Sequence, residues 1–276
     1  MAEQDYASML TMFDQQALRY RIVNKIVSLP HDPSSDEEIV ELYRRAITPR
    51  TRLLMICHLV NITGQILPVR KIADMARERG VLVMVDGAHS FAHLQFKVED
   101  LGCDYYATSL HKWLGAPLGT GLLYVRKELI PTTWPLLGDT LYPKEDVRKL
   151  NHIGTNPMHN VLAIADALAL HQQIGPARKE RRLRFLKEYW TRQLRGVRGV
   201  VLNTPSDPRR ACAIANVGLT RVDPDALMKV MLEKYRIWTV GIDNPKARVR
   251  GIRVTPNIFT TLPELDALVA ALKALA

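Results

Sequence analysis

Five consecutive apolar residues, 81–85 (VLVMV), end abruptly at an acid, Asp86. A continuous apolar run with several β-branched residues is typical of a strand buried on both faces, as in a parallel sheet. A similar run precedes it at 52–57, and a segment with helical periodicity lies between them at 69–79, closed by Gly80. This alternation predicts an α/β fold with Asp86 at the carboxyl end of a strand, where open sheets bind ligands.

A second predicted strand end carries a lysine. The segment 105–109 reads as a short strand, and it is followed by Leu110, His111 and Lys112. A partly buried lysine beside a histidine can lose its proton and then form a Schiff base with an aldehyde. Ser109 and His111 alternate with Leu110, so they face one side together, where a hydroxyl and an imidazole suit a phosphate group.

Each of these residues has an ordinary explanation when it is taken alone. A single Asp after a strand is usually a turn former or a helix cap, and a single His or Lys is usually hydrogen-bonded or solvated. The ordered set is more specific: Asp86, His89 three residues later, and Ser-x-His-Lys after one more strand. An acid that can pair with a protonated pyridine nitrogen, together with an aldehyde-capturing lysine, indicates pyridoxal 5'-phosphate as the cofactor.

The stretch from about Cys57 to Arg126, with DGAHS and then ATSLHKWLGAPLGTGLLYVR, resembles fold-type I pyridoxal-phosphate enzymes of the aminotransferase class V family. Within that family it is most similar to the isopenicillin N epimerase-like branch. The resemblance implies the aspartate aminotransferase-like fold, with a mostly parallel sheet in a large domain and a smaller carboxyl-terminal α+β domain. It also implies an enzyme that acts on an amino acid through an internal aldimine.

The same resemblance implies roles for the residues of the two motifs. Lys112 would form the aldimine, Asp86 would pair with the pyridine nitrogen, and His89 would lie near the ring oxygen. These three are the predicted catalytic residues. Ser109 and His111 would contact the cofactor phosphate.

Three further positions match the family outside those motifs. Asn61, in HLVNITGQILPV, would lie beside the cofactor ring. Thr155, in HIGTNP, would reach the phosphate of the neighbouring subunit, which implies a homodimer. Arg253, in GIRVTP, would bind the substrate carboxylate, since a planar guanidinium can do so with two parallel hydrogen bonds. No metal site is predicted.

The amino terminus raises an alternative. Family members usually carry a longer amino-terminal segment, with the helix and loop under the cofactor phosphate and the side chain that stacks on the ring. We expect nothing in residues 1–20 to supply either group. The alternative is therefore a truncated or non-catalytic member that binds the cofactor weakly or not at all.

The reaction stays open among epimerisation, elimination of a β group and transamination. Cysteine desulfurases of the family place a reactive cysteine on a loop before the carboxylate-binding arginine, whereas residues 240–246 contain none and Cys212 lies far upstream. This departure argues against desulfurase activity. Cys57, Cys103 and Cys212 are odd in number and widely spaced, so they suggest neither a disulfide framework nor a zinc site.

Charge and hydropathy limit the classes of partner that the protein is expected to bind. The net charge is +10, but the basic residues are spread, and the densest group, 178–184, has the spacing of a solvated helix face with Leu183 and Leu186 inward. We therefore expect no nucleic-acid partner, and the positive field suits an anionic substrate or cofactor. The amino-acid substrate is what the resemblance implies. No apolar run approaches the roughly 20 residues of a membrane span, and the sequence MAEQDYASML lacks a signal-peptide pattern, so no membrane partner and a cytoplasmic location are expected.

We predict a cofactor-binding large domain at 1–176 and a small domain at 177–276. A proline-bearing connection at 127–151 is expected to form a wall of the active site. Further elements are predicted from periodicity and turn residues. The helices are expected at 9–22, from 34–38 onward, and at 160–174, 178–196, 223–235 and 262–275, and the strands at 25–29, 200–202, 213–218 and 252–255.

Overall fold

In a computed structural model, which describes residues 1–138, 141–151 and 154–276, the strands form two four-stranded sheets. The first sheet has the order β1-β2-β3-β4. Its strands are β1 (Leu53–Cys57), β2 (Leu82–Asp86), β3 (Tyr105–Ser109) and β4 (Gly121–Val125). β1, β2 and β3 are parallel, and β4 pairs antiparallel with β3. The α/β class and the mostly parallel sheet are as predicted.

The second sheet is antiparallel throughout and has the order β5-β6-β8-β7. Its strands are β5 (Val200–Leu202), β6 (Ala215–Leu219), β7 (Val240–Asn244) and β8 (Val249–Val254). Two glycines face the partner strand where β6 and β8 approach each other closely. A Cβ on Gly218 would lie 2.3 Å from the Arg250 carbonyl oxygen, and one on Gly251 would lie 2.4 Å from that of Val217.

The helices flank these sheets. They are α1 (Ala7–Tyr20), α2 (Asp36–Ala46), α3 (Val69–Arg77), α4 (Met158–Leu162), α5 (Ile164–Ile174), α6 (Pro176–Leu194), α7 (Pro224–Tyr235) and α8 (Leu262–Leu275). Short 3-10 helices occur at Val98–Leu101, Lys127–Thr132, Val147–Asn151 and Pro208–Arg210. None of the helices in the described ranges is long and apolar enough to cross a membrane.

Three apolar clusters hold these elements together. The first packs α2 and α3 against β1 and β2, and the second packs α6, α7 and α8 against the antiparallel sheet. The third lies between the two sheets and joins residues that follow β1 and β3 to residues of α6 and of the segment before β6. Its members include Leu59, Leu110, Trp113, Leu183 and Ile214. The parallel and antiparallel parts therefore meet across an apolar junction beside the ends of the parallel strands.

Most predicted elements are confirmed, with shifts of a few residues at their ends. The predicted strand 25–29 is wrong: Val27 forms only a single bridge, to Ala2, and the Gln4 side chain bonds with the backbone of Leu29. The predicted helix 160–174 is two helices, α4 and α5, which meet at Ala163. The division into domains 1–176 and 177–276 stays a prediction.

The basic group at 178–184 is only partly as predicted. Leu183 and Leu186 are buried, as expected. Lys179, which was expected on the solvated face, is also buried, and its Nζ donates to the backbone carbonyl of Trp113. This contact satisfies the amine inside the junction, and burial lowers the pKa of Lys179.

Candidate active site

The ends of the parallel strands bring the first predicted site residue into place. Cys57 and Asp86 are register partners at the ends of β1 and β2, and Asp86 pairs with Ala107 on the other side. Asp86 is half-buried, and its Oδ1 accepts the Ala88 backbone N–H at 2.9 Å. The carboxylate thus lies at the carboxyl edge of the sheet, as the sequence predicted.

The turn after Asp86 needs glycine. The Gly87 carbonyl accepts the hydroxyls of Tyr106 at 3.3 Å and Thr108 at 3.0 Å, and the Gly87 N–H donates to the Ala107 carbonyl at 2.8 Å. A Cβ on Gly87 would lie 2.0 Å from Cζ of Tyr106. The buried tyrosine ring therefore occupies the space that any side chain at position 87 would require.

Lys112 lies in the turn that follows β3, and its amine meets His89. The distance between Lys112 Nζ and His89 Nε2 is 3.3 Å. Burial lowers the pKa of the half-buried Lys112, although the charges of Asp86, Tyr6 and Cys57 oppose that shift. A lysine with a lowered pKa is more easily present as the nucleophilic free amine.

A second hydrogen bond fixes His89 through its other ring nitrogen, Nδ1. The indole Nε1 of Trp113 donates to His89 Nδ1 at 3.2 Å. Burial lowers the pKa of His89 to about 2, and the positive charges of Lys112, Arg253 and His93 act in the same direction. His89 is therefore a neutral imidazole at physiological pH.

Arg253 reaches the same site from the antiparallel sheet. It lies on β8 opposite Asn216 of β6, and its Nη1 donates to the Asn61 backbone carbonyl at 3.3 Å. Its Nε and the side-chain Oδ1 of Asn61 are buried and have no hydrogen-bond partner. Within the described ranges no carboxylate forms an ion pair with Arg253, which leaves a half-buried guanidinium beside Lys112 and His89 with capacity for an anion.

Tyr6 is a site residue that the sequence analysis missed. It directly precedes α1, and the centroid of its ring is 6.0 Å from Lys112 Nζ. Tyr6 also opposes the lowering of the Arg253 pKa. Tyr6 thus brings an aromatic ring from residues 1–20 close to Lys112, while the expectation that this segment supplies no side chain to stack on the cofactor ring stays a prediction. The available signal was an aromatic residue between an acid and a predicted helix, which is too common a pattern to single out.

The residues predicted to contact the phosphate have fewer contacts with the rest of the site than Lys112 and His89 have. Ser109 and His111 are half-buried at the end of β3, and His111 Nδ1 is 3.4 Å from the Thr120 carbonyl oxygen. Thr155 is exposed in the segment before α4. The arrangement thus unites Lys112, Asp86 and His89 with residues from the antiparallel sheet, while the roles of the phosphate-directed residues stay predictions.

All three cysteines are buried thiols. Burial raises the pKa of Cys57 well above its ordinary value, that of Cys103 to about 11 and that of Cys212 to about 12. Each is therefore protonated, and hence weakly nucleophilic, at neutral pH. Among residues 1–138, 141–151 and 154–276, no group of three or more His, Cys, Asp or Glu side chains is arranged to hold a metal ion.

Comparison with known proteins identifies the family of this site. The family model for aminotransferase class V matches residues 10–240, which is most of the chain. The chain belongs to the aminotransferase class V family. The family expected from the motifs is thereby confirmed, and with it the expected enzyme class, which depends on pyridoxal phosphate.

The similar proteins include two epimerases and several desulfurases. The chain is 31% identical to isopenicillin N epimerase of Streptomyces clavuligerus over 292 aligned positions, which cover 100% of this chain and 73% of that protein. It is 32% identical to isopenicillin N epimerase of Amycolatopsis lactamdurans over the same extent. A probable cysteine desulfurase of Halalkalibacterium halodurans is 28% identical and matches 85% of this chain and 60% of that protein.

Solved structures share the fold. A cysteine desulfurase of Thermococcus onnurineus superimposes with a TM-score of 0.86 at 21% identity, covering 99% of this chain and 71% of that one. A cystine C–S lyase in complex with its product superimposes with a TM-score of 0.86 at 23% identity, covering 99% of this chain and 74% of that one. The expected transferase-type fold is therefore confirmed.

Proposed function

We propose that this protein binds pyridoxal 5'-phosphate and moves the Cα proton of an α-amino acid, so that the configuration at Cα is inverted. One observation carries the proposal: the half-buried guanidinium of Arg253, whose buried Nε has no hydrogen-bond partner, faces the same site as the Lys112 amine and Asp86. A site with a carboxylate-binding cation next to a free amine suits an amino-acid substrate. The similarity to two epimerases over the whole chain favours inversion as the outcome.

The residues present fit the cofactor. We assign the Lys112 amine to the aldehyde, the Asp86 carboxylate to the ring nitrogen, and His89 to the ring oxygen. The unpartnered Oδ1 of Asn61 and the aromatic ring of Tyr6 suit the edge and face of a planar, polar ring. Ser109 and His111, beyond β3, are assigned to the phosphate, and Thr155 to the phosphate of a neighbouring subunit.

The chain's own residues supply binding and proton transfer. Pyridoxal phosphate, when bound, supplies the electron sink that stabilises the electron pair left at Cα. Arg253 holds the substrate carboxylate and so orients the Cα–H bond. The free Lys112 amine accepts the Cα proton, and inversion requires that a proton return to the opposite face of Cα. The Asp86 carboxylate is assigned to accept a hydrogen bond from the protonated ring nitrogen.

The cysteines argue against desulfurase chemistry. A desulfurase needs a thiolate that reaches the substrate sulfur, whereas Cys57, Cys103 and Cys212 are buried with raised pKa values. Before Arg253, the chain forms the β7–β8 hairpin, in which residues 240–254 contain no cysteine. Nothing in the comparisons supports the alternative of a member without catalytic function.

A homodimer and a cytoplasmic location stay predictions. The surface of α1 supports the dimer, because this 14-residue helix has no buried residue, and exposed apolar side chains lie on it at Leu18 and Tyr20 and just beyond its end at Ile22 and Val23. A contiguous exposed apolar surface of this kind is typical of an interface. Sedimentation of the purified protein tests the assignment directly.

Two experiments test the proposed function. The protein is incubated with pyridoxal phosphate, reduced with borohydride and digested, and the modified peptide is mapped by mass spectrometry. A pyridoxyl group on Lys112 that is absent from Lys112→Ala supports the cofactor site, and Lys97→Ala, an exposed lysine, serves as the matched control. Labelling elsewhere, or labelling that persists in Lys112→Ala, overturns it.

The reaction is tested with the twenty common L-amino acids in deuterated water. We expect deuterium at Cα of at least one substrate and the appearance of its D-enantiomer, both measured by NMR and chiral chromatography. Formation of a keto acid or of sulfide without Cα inversion would replace the epimerase assignment by transamination or by lyase and desulfurase chemistry, respectively.

A further inference from the structure

His89 lies between two nitrogen atoms, which together decide where its proton is. The Trp113 indole Nε1, 3.2 Å from His89 Nδ1, can only donate, so Nδ1 must accept. A neutral imidazole has one accepting and one donating nitrogen, so the proton is on Nε2. Nε2 lies 3.3 Å from Lys112 Nζ, and the lysine must therefore accept. Only the neutral amine can accept, because an ammonium group has no lone pair.

The donor is held rigidly. Trp113 is buried in the junction between the two sheets, with 8% of its surface exposed, and its ring packs on that of His93 with 3.8 Å between the centroids. The Trp113 backbone carbonyl accepts the buried amine of Lys179 from α6. The contacts of the ring with His93 and of the backbone with Lys179 hold Trp113 where its indole N–H donates to His89.

His93 fixes the backbone of His89. The Ala213 N–H donates to His93 Nε2 at 3.0 Å, so the His93 proton is on Nδ1, which donates to the His89 carbonyl at 2.9 Å. Burial lowers the pKa of His93 to about 3, which keeps this ring neutral. A chain of hydrogen bonds therefore runs from the segment before β6 to the His89 backbone.

We propose that Trp113 is a positioning residue that holds His89 in the Nε2-protonated form, so that His89 donates a hydrogen bond to the Lys112 amine or to an anionic oxygen that replaces it. The inference rests on the proposed function for its chemical use, because the ring oxygen of the cofactor is the oxygen that His89 is assigned to meet. The hydrogen bonds on which the inference rests join only residues of the protein, namely Trp113, His89 and Lys112.

This arrangement excludes a role for His89 as a base toward Lys112 and supports its role as a hydrogen-bond donor. A nitrogen that already carries a proton cannot take one from Lys112, so His89 does not act as a base toward the lysine. Without the indole donor, His89 could shift its proton to Nδ1 and accept from a protonated Lys112, which would stabilise the ammonium form. The other groups that act on Lys112, namely Asp86, Tyr6, Cys57 and Arg253, are unchanged by that loss.

The test uses the full chain free of cofactor. The protein is labelled with 15N-histidine, and two-bond 1H–15N spectra report which ring nitrogen of each histidine carries the proton, with His89→Gln for assignment. Trp113→Phe removes the indole N–H and keeps an aromatic ring against His93. Trp190→Phe is the matched control, because Trp190 is also buried but its Nε1 has no hydrogen-bond partner.

A second readout follows Lys112. Trace labelling with acetic anhydride at a fixed pH between 7 and 8, followed by mass spectrometry, reports the fraction of Lys112 in the neutral form. We expect His89 in the wild-type protein and in Trp190→Phe to be protonated on Nε2. In Trp113→Phe we expect loss of that signature and about tenfold slower labelling of Lys112.

Each outcome decides the proposal. A wild-type His89 protonated on Nδ1 or on both nitrogens overturns it, and so does a Trp113→Phe protein in which tautomer and labelling are unchanged. Failure of the proposed function can be distinguished from failure of this inference. In the first case the borohydride experiment would give no pyridoxyl group on Lys112, while the His89 tautomer and its dependence on Trp113 would still be observed.

Discussion

Gly87 and Tyr106 are in tight contact beside Asp86. In Gly87→Ala the new Cβ would lie 2.0 Å from Cζ and 2.1 Å from the hydroxyl oxygen of Tyr106, where ordinary contacts are 3.4 Å or more. The ring is fully buried, so it must move by more than an ångström inside a packed core. Overpacking of this kind costs about 1–3 kcal/mol.

The hydrogen bonds of the tyrosine add to that cost. The Tyr106 hydroxyl lies 3.1 Å from Ser90 Oγ and 3.3 Å from the Gly87 carbonyl oxygen, and displacement of the ring weakens both contacts. At about 1 kcal/mol for each, we expect the free energy of unfolding of Gly87→Ala to fall by about 3 kcal/mol or more.

Urea unfolding followed by tryptophan fluorescence measures this change. In a Tyr106→Ala background the cavity accommodates the new methyl group, so Gly87→Ala should then cost less than about 1 kcal/mol, and the two changes should be strongly non-additive. Gly138→Ala is the control, because no atom lies within 4 Å of its added Cβ. A Gly87→Ala protein as stable as wild type, or an equal cost in both backgrounds, would falsify the reasoning.

Three further predictions concern binding and pH. Arg253→Lys should lower kcat/KM for Cα proton exchange at least tenfold because it removes the paired hydrogen bonds to a carboxylate, whereas Arg250→Lys, on the same strand with its side chain 62% exposed, should not. Ser109→Ala should weaken pyridoxal phosphate binding about tenfold in equilibrium dialysis, and an unchanged affinity would remove Ser109 from the phosphate site. Burial lowers the pKa of His58 from 6.5 to about 4, so between these pH values the unfolded chain binds a proton that the folded protein does not. The free energy of unfolding should therefore fall by about 3 kcal/mol as the pH drops from 6.5 to 4. His58→Gln should lose that part of the dependence in urea titrations, and an identical pH profile would contradict the burial effect.

The site residues that could be predicted are those that the chain brings together locally. Asp86 ends one strand and Lys112 closely follows another, both of which are predicted from their sequences, and parallel neighbours end at the same edge of the sheet. Their proximity therefore follows from two short patterns and one rule of sheet topology. The resemblance to a family then supplied Arg253, which no local pattern marks.

The parts that could not be predicted depend on contacts between distant segments. Trp113 reads as an ordinary core residue until the junction of the two sheets aims its indole at His89. The strand β7 (Val240–Asn244) contains glycine, aspartate and asparagine, which are poor strand formers, and it forms because β8 pairs along its whole length. The segment 25–29 shows the converse, since its apolar residues read as a strand although it forms only a single bridge, between Val27 and Ala2.

The three buried thiols provide built-in reporters of local opening. Cys103 lies in the core beneath the parallel sheet, and Cys212 lies in the junction between the sheets. Neither can be alkylated until the surrounding structure separates, so the rate of capture by a small maleimide, read separately for each cysteine by mass spectrometry, measures how often that region opens. The wild-type chain thus permits a comparison of the breathing of its parallel core and of its inter-sheet junction without any engineered probe.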